Sequence, residues 1–394
     1  MGIVVAIWIL IQLLIGYNLI LPFLLFLWWK LSRHHHVSKI IAVEEVDYAI
    51  IVTAYEQTQL LNLVVSSLLK LSYNNFLIYI VADKCDVSTL IFDNDKVILL
   101  RPPITLASNT KSHRYAINNF KRDHERLTII DSDNLVDPAY LNQLNLTFDQ
   151  GFQAVQGLRA PKNLDTTIAC LDAARDIYYH FYDGKLLFEI GSSATLSGSG
   201  MAFNVAIYKN FLDNNQVEGA GFDKVLQSWL VNNNHRIAFN DLAILYDEKT
   251  SKTEQLVHQR SRWINTWFKY FTLGLDILLS GIKTLSKDKV VFGIILLRPP
   301  LFIFLILSLL CLALNLILGY WAFATIWIFS MLIFVLSFWI SLKRSTIDSR
   351  IYKSLINVPK FIFYQLISLL NARKANKISV ATKHYDSDVD DINS

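Results

Sequence analysis

Asp131 and Asp133, one residue apart in Asp131-Ser132-Asp133-Asn134, close an apolar run of strand length. Carboxylates so spaced can place one or both oxygens on a divalent cation. Hard oxygen donors suit Mg²⁺ or Mn²⁺, which normally bridge to substrate phosphates. Turn aspartates are common. Here, however, Asp137 ahead of Pro138 is the better helix cap, which leaves Asp131 and Asp133 for an ion. Similar runs end in Thr53-Ala54-Tyr55-Glu56 and in Asp83. The chain has no G-x-x-x-x-G-K-[ST] loop and no G-x-G-x-x-G after its first β-rich run. That argues against a P-loop nucleotidase and a dinucleotide-dependent dehydrogenase, and without a phosphate loop a diphosphate would need a metal to hold it. Cys85, Cys170 and Cys311, an odd set without C-x-x-C spacing, exclude a disulfide scaffold and the usual zinc site.

The elements that must carry these groups alternate. Tyr48–Val52, Leu77–Ala82, Val97–Leu100, Leu127–Ile130 and Ala154–Val155 read as strands. Thr58–Leu71, Lys111–Phe120, Pro138–Phe148 and Asp165–Phe181 have helical periodicity. Alternation of this kind predicts an α/β domain with a mostly parallel, Rossmann-like sheet covered by helices on both faces. Ligands of such sheets bind beyond the carboxyl ends of the strands, where the acidic groups fall.

Charged residues make up only 18% of the 394, below the quarter usual for soluble chains, and mean hydropathy is +0.34. The net charge of +4 is no nucleic-acid footprint, because its lysines and arginines gather at the ends of apolar runs. Residues 1–29 carry no charge, which predicts a retained transmembrane anchor over 1–32. Residues 290–342, broken by Arg298-Pro299-Pro300, have the length of two crossings with a turn at Gly319-Tyr320. Lys30, Arg33 and Lys39 follow the anchor, and Lys343, Arg344, Arg350 and Lys353 follow the second block. The positive-inside rule then puts the N-terminus outside the cell membrane and the domain and tail in the cytoplasm. Residues 262–279 and 355–370 read as helices at the headgroup level, the second equally well as one packed on the soluble domain. His34-His35-His36 reads as solvated interface, and the acidic end of the tail as loose.

From about Asp47 to Phe268 the chain resembles the membrane-anchored inverting family-two glycosyltransferases, the group of cellulose, hyaluronan and poly-N-acetylglucosamine synthases. Gln259-Arg260-Ser261-Arg262-Trp263 fits that group's Q-x-x-R-W motif. Asp223-Lys224-Val225-Leu226 opens a helix where the group has its catalytic aspartate, and Gly198-Ser199-Gly200 lies in a segment like its small-residue acceptor stretch. The fold implied is a nucleotide-sugar-binding A-type glycosyltransferase domain over 40–254. Interfacial helices over 255–289, two membrane helices over 290–342 and a cytoplasmic segment over 343–394 would follow it.

The resemblance also implies roles. Asp83 would hold the base or ribose of a UDP-linked sugar. Tyr55, Glu56, Ser132 and Lys111 would line the nucleotide sugar. Asp131 and Asp133 would hold Mg²⁺ or Mn²⁺ on its diphosphate. Asp223 would take the proton from the acceptor hydroxyl. Arg262 would brace the diphosphate, while Trp263, with Gln259, Gly198, Ser199 and Gly200, would meet the acceptor. On their own residues, Arg262 and Trp263 also suit an anchor at the membrane boundary, although that leaves Gln259 unexplained. Asp223 also suits a helix cap after Gly221, and the glycines also suit plain turns. The acceptor expected is a polysaccharide or membrane-proximal glycan, with a lipid as runner-up because the site lies next to interfacial helices. Thr53, Gln57 and Phe222 depart from the group's pattern, and they motivate a rival in which the chain is a catalytically degenerate membrane partner of a separate synthase; a homo-oligomer or other synthase subunits are the protein partners expected.

Overall fold

Runs of Val, Ile, Leu and Tyr with few polar residues form strands buried on both faces, as a helix-covered parallel sheet requires. The computed structural model describes residues 2–32, 44–88, 90–217, 219–345 and 348–374. Its strands are β1 (Tyr48–Tyr55), β2 (Phe76–Asp83), β3 (Val97–Leu100), β4 (Arg126–Asp131), β5 (Leu135–Val136), β6 (Ala154–Pro161), β7 (Met201–Asn204) and β8 (Ile237–Asp247). They make one sheet in the order β3-β2-β1-β4-β7-β6-β8-β5. β7 runs antiparallel between β4 and β6, β5 runs antiparallel to β8, and the other pairings are parallel. The mostly parallel α/β expectation therefore holds. The sequence does not mark Met201–Asn204 as a strand, yet it lies in the middle of the sheet.

The helices of the domain are α1 (Gly2–Leu31), α2 (Leu61–Leu69), α3 (Asn109–Asn118), α4 (Tyr140–Phe148), α5 (Thr167–Tyr179), the single turn α6 (Leu187–Glu189), α7 (Val205–Asn214) and α8 (Phe222–Asn232). A π-helical turn, His180–Leu186, joins α5 to α6. α4 begins two residues later than the sequence predicts. Asp137 still closes its entry turn, because its carboxylate accepts from Ala139 N–H at 2.8 Å and its carbonyl from Tyr140 N–H at 2.9 Å.

Beyond the sheet come α9 (Thr253–Tyr270), α10 (Thr272–Thr284), α11 (Lys287–Leu297), α12 (Leu301–Ile317), α13 (Trp321–Arg344), α14 (Ser349–Ser354) and α15 (Val358–Asn371). Two helices, α1 and α13, are long and apolar enough to cross a membrane. α11 and α12 meet at a 72° bend and amount to a third span only when taken as one. The break has a cause: Pro299 and Pro300 remove two backbone donors, and the residue before a proline avoids helical geometry. α12 alone rises roughly 26 Å, short of the ~30 Å hydrocarbon core. The turn expected at Gly319 is present, with φ of 75°.

Polar residues fasten the apolar helices. Gln12 Oε1 accepts from Asn315 Nδ2 at 2.6 Å and from Trp327 Nε1 at 2.7 Å, joining α1, α12 and α13. In a hydrocarbon setting such a bond contributes about 0.6–2 kcal/mol. α15 lies along α9, where Ser261 Oγ donates to the Ser368 carbonyl at 2.9 Å. Arg33, Lys39 and His34–His36 fall outside the described residues.

Candidate active site

A cavity of about 670 Å³ opens at the carboxyl edge of the sheet, within the usual ~300–1,000 Å³ of a small-molecule site. Its wall is built from distant parts of the chain: Tyr55 after β1, Asp131, Ser132 and Asp133 after β4, Gly198 before β7, Asp223 on α8, and Gln259, Arg262 and Trp263 on α9.

Asp223 lies in the first turn of α8, and the cap residue is Gly221. The capping role for Asp223 is therefore excluded, and its carboxylate pairs with Lys224 Nζ at 3.2 Å. Gly221 is fixed as glycine by φ of 97° and by its closeness to α9, since a Cβ would lie 2.6 Å from Thr266 Cγ2. That close approach seats the start of α8 on the helix bearing the Q-x-x-R-W motif. Phe222 is buried edge-on against His113, which accounts for an apolar residue beside Asp223.

The turn after β4 is held from behind. Asp131 N–H donates to Ser199 Oγ at 3.0 Å, and Ser199 donates to Asn134 Oδ1 at 2.6 Å. Asn134 Nδ2 donates to Asp247 Oδ1 at 3.1 Å, at the end of β8. Asp247 is clamped by Arg159 at 2.7 Å and Lys249 at 2.8 Å, and Lys249 reaches on to Asp176 at 2.6 Å. Burial by itself would push the Asp247 and Asp176 carboxyls up. The arginines and Lys249 around them outweigh it and hold both below the usual carboxylate range.

Arg260 continues this buried network. It pairs with Asp172 and stacks 3.9 Å from the centroid of Trp263, which also carries the Arg175 guanidinium at 4.6 Å. Burial and the neighbouring Arg175 bring Arg260 down to about 10. Part of the Trp263 ring, expected to meet a sugar, is thus already occupied by cations, and the side chain remains 40% exposed. Arg262 lines the cavity half-buried, and burial lowers its pKa.

Five expected residues are not on the cavity wall: Glu56, Asp83, Lys111, Ser199 and Gly200. The Asp83 carboxylate accepts from Leu106 and Ala107 N–H at 2.9 and 2.7 Å, and so holds the loop leading to α3. Glu56 pairs at 2.7 Å with Lys84, which explains a lysine after Asp83. Lys111 is exposed on α3, while Asn109 of the same turn reaches the wall. Ser199 braces the β4 turn. Gly200, at φ of 69°, leaves room for Leu245, whose Cδ2 would be 2.1 Å from a Cβ.

Sequence reasoning missed Arg159, Asp172, Arg175, Asp176, Asp247 and Lys249. A signal existed for most. Asp172, Arg175 and Asp176 stand at helical spacing, and Asp247-Glu248-Lys249 closes a β-rich run. Arg298, read only as an interruption of an apolar block, is a buried cation bound to Asp183 and the Tyr178 hydroxyl, both at 2.9 Å.

The donor set suits a hard divalent cation. Among the described residues no three His, Cys, Asp or Glu side chains gather to hold an ion alone. An ion at Asp131 and Asp133 must therefore complete its shell with substrate oxygens and water, as Mg²⁺ at phosphate sites does.

Residues 46–266, more than half of the chain, match the family described as Glycosyltransferase like family 2. The fold is similar to a mannosyltransferase from Pyrobaculum calidifontis solved with GDP-Man and Mn²⁺: TM-score 0.54, 10% identity, 93% of this chain and 98% of that one covered. S. aureus TarS solved with UDP-GlcNAc overlaps 59% of this chain and 67% of its own at 15% identity and TM-score 0.41. No curated protein matches the chain in sequence.

Proposed function

The chain belongs to glycosyltransferase like family 2, and on that footing we propose that it moves a sugar, with inversion, from a nucleotide-diphosphate sugar to an acceptor at a membrane. The observation that carries this reading is one cavity wall shared by Asp131, Asp133, Asp223, Gln259, Arg262 and Trp263. Asp131 and Asp133 would hold Mg²⁺ or Mn²⁺, which would supply positive charge against the diphosphate as it leaves. Arg262, a permanent planar cation, braces that diphosphate from α9. Asp223 accepts the proton as the acceptor hydroxyl attacks the anomeric carbon from the face opposite the leaving group. Tyr55 and Ser132 line the donor side, and Asp83, at the end of β2, and Lys111, on α3, act from beside it. Gln259, Trp263 and Gly198 line the acceptor side, with Ser199 and Gly200 behind.

The donor is UDP-linked in this reading. GDP-sugars belong in the screen, since the P. calidifontis relative is a GDP-Man complex. The enzyme is multi-pass, with residues 40–254 cytoplasmic and the N-terminus outside. The length of α1 and α13, and Lys30, Lys343 and Arg344 in their last turns, support this topology. Asp133→Ala tests the metal role: nucleotide release should vanish with the protein still folded, and chelation should do the same to wild type. Full release in excess chelator would sink it.

A further inference from the structure

The cavity's lining is of two kinds. Beside Asp131, Asp133 and Asp223 it holds a hydrocarbon group, Leu301, Phe302 and Leu305 after the α11–α12 break, Phe338 of α13, and Val358 and Phe361 of α15, with Gln365 of α15 a polar side chain beside them. The cation among these, Arg298, is matched by Asp183 and Tyr178. The apolar arm is continuous with the catalytic end and is walled in part by α13, a helix long and apolar enough to cross a membrane.

We propose that the acceptor is a membrane lipid with a hydroxyl headgroup, its hydrocarbon chain lying in this arm and its hydroxyl at Asp223. The proposal rests on the glycosyl-transfer reading above and names the acceptor class for the same site. A glycan strand in the arm would set its many hydroxyls against aliphatic side chains, with few partners for their hydrogen bonds, and each unpaired hydroxyl is costly. A hydrocarbon chain loses nothing there. A phosphate headgroup would need no base, whereas a hydroxyl must give up a proton, and Asp223 is there to take it. In the step, the lipid oxygen bonds to the anomeric carbon and the bond from that carbon to the diphosphate oxygen breaks. The nucleoside diphosphate leaves with the electron pair, and the proton passes to the Asp223 carboxylate.

The test uses full-length protein in lipid nanodiscs and long-chain primary alcohols carrying a photoactivatable diazirine beside the hydroxyl or at the far end of the chain. The head-end probe should label residues 221–227 or 259–267, and the far-end probe residues 301–305 and 358–362. Phe329 and Leu332, 61% and 58% exposed on α13, should take up either probe from the bilayer and so report insertion. Leu305→Trp, which fills the arm, should erase head-end labelling of the catalytic segments while labelling at Phe329 and Leu332 persists. Val358→Trp blocks from the opposite wall and guards against one variant failing to fold. Head-end labelling that never reaches the catalytic segments, or that survives both tryptophans, overturns the proposal. Nucleotide release is measured in parallel: release without catalytic-segment labelling refutes the lipid acceptor, and labelling without release refutes the transferase reading beneath it.

Discussion

Asn134 joins the Asp131–Asp133 turn to the buried charges behind it, so replacing it should damage the site without touching a substrate. Its side chain is fully buried, donating to Asp247 at 3.1 Å and accepting from Ser199 at 2.6 Å. Asn134→Ala leaves a buried carboxylate oxygen and a buried hydroxyl short of a partner, at about 1–3 kcal/mol each. Asp247 keeps Arg159 and Lys249, which places its share at the low end, so a total loss of roughly 2–4 kcal/mol is expected. Ser199, freed to rotate, no longer fixes the Asp131 amide. Groups that orient metal-binding carboxylates typically contribute 10–100-fold in metal affinity or activity, and the Mn²⁺ concentration for half-maximal nucleotide release should rise by about that factor. Asn134→Asp is the sharper probe: it keeps the acceptor for Ser199 but sets a second carboxylate against Asp247, and it should be at least as harmful. Thermal unfolding in detergent and Mn²⁺ titrations separate the stability and site components. An unchanged Mn²⁺ dependence in both variants would refute the bracing role.

Lys249→Met should cost less than the roughly 3–5 kcal/mol of a stranded buried charge, because Asp176 keeps Arg175 and Asp247 keeps Arg159 when the ammonium between them is lost. Asp176→Asn in the same chain should recover part of that loss, read as the coupling in a double-mutant cycle of unfolding midpoints. Arg262→Lys should fold and insert normally yet be nearly inactive, since an ammonium cannot reproduce the guanidinium fork. Trp263→Phe should keep the stack beneath Arg260 and Arg175 whereas Trp263→Ala should lose it, along with about 0.5–2 kcal/mol of stability. Equal yields and activities for Trp263→Ala and Trp263→Phe would contradict the stack. His113 is buried and bound to the Tyr208 hydroxyl at 2.7 Å, and burial drops its pKa to about 3. Its unfolded value is about 6.5, so the unfolded chain binds the extra proton first. Its contribution is whole above that pH and falls by about 1.4 kcal/mol per unit as pH drops from about 6.5 toward 3. His113→Gln should flatten this part of the profile of unfolding midpoint against pH.

The parallel half of the sheet was legible because β1, β2 and β4 are unbroken apolar runs, and their carboxyl ends drew attention to Asp131 and Asp133. β7 was not, since four residues entering antiparallel behind two glycines carry no periodicity of their own. β8 alternates too irregularly around Asn240-Asp241, and missing it hid Asp247 and Lys249, although the strand-end rule that found Asp131 applies to them as well. The Q-x-x-R-W spacing identified which helix faces the cavity. It did not show that Arg260, between the two named positions, is the buried member, because spacing on a helix gives a face and not the depth of the neighbour opposite. The membrane helices were legible as composition. The bend before α12 was legible only as two prolines, and the pairing of Arg298 with Asp183 depends on a contact far apart in sequence.

The measurement closest to the central claim is nucleotide release by the purified full-length protein in detergent, screened over UDP- and GDP-sugars with and without Mn²⁺, for wild type and Asp223→Asn. The expected result is Mn²⁺-dependent release from one nucleotide sugar or a few. In Asp223→Asn it should fall by roughly 10²–10⁴, the usual contribution of a general base, while binding of the same nucleotide sugar persists. An Asp223→Asn protein as active as wild type, or a wild type that binds no nucleotide sugar and releases no nucleotide under any of these conditions, would contradict it.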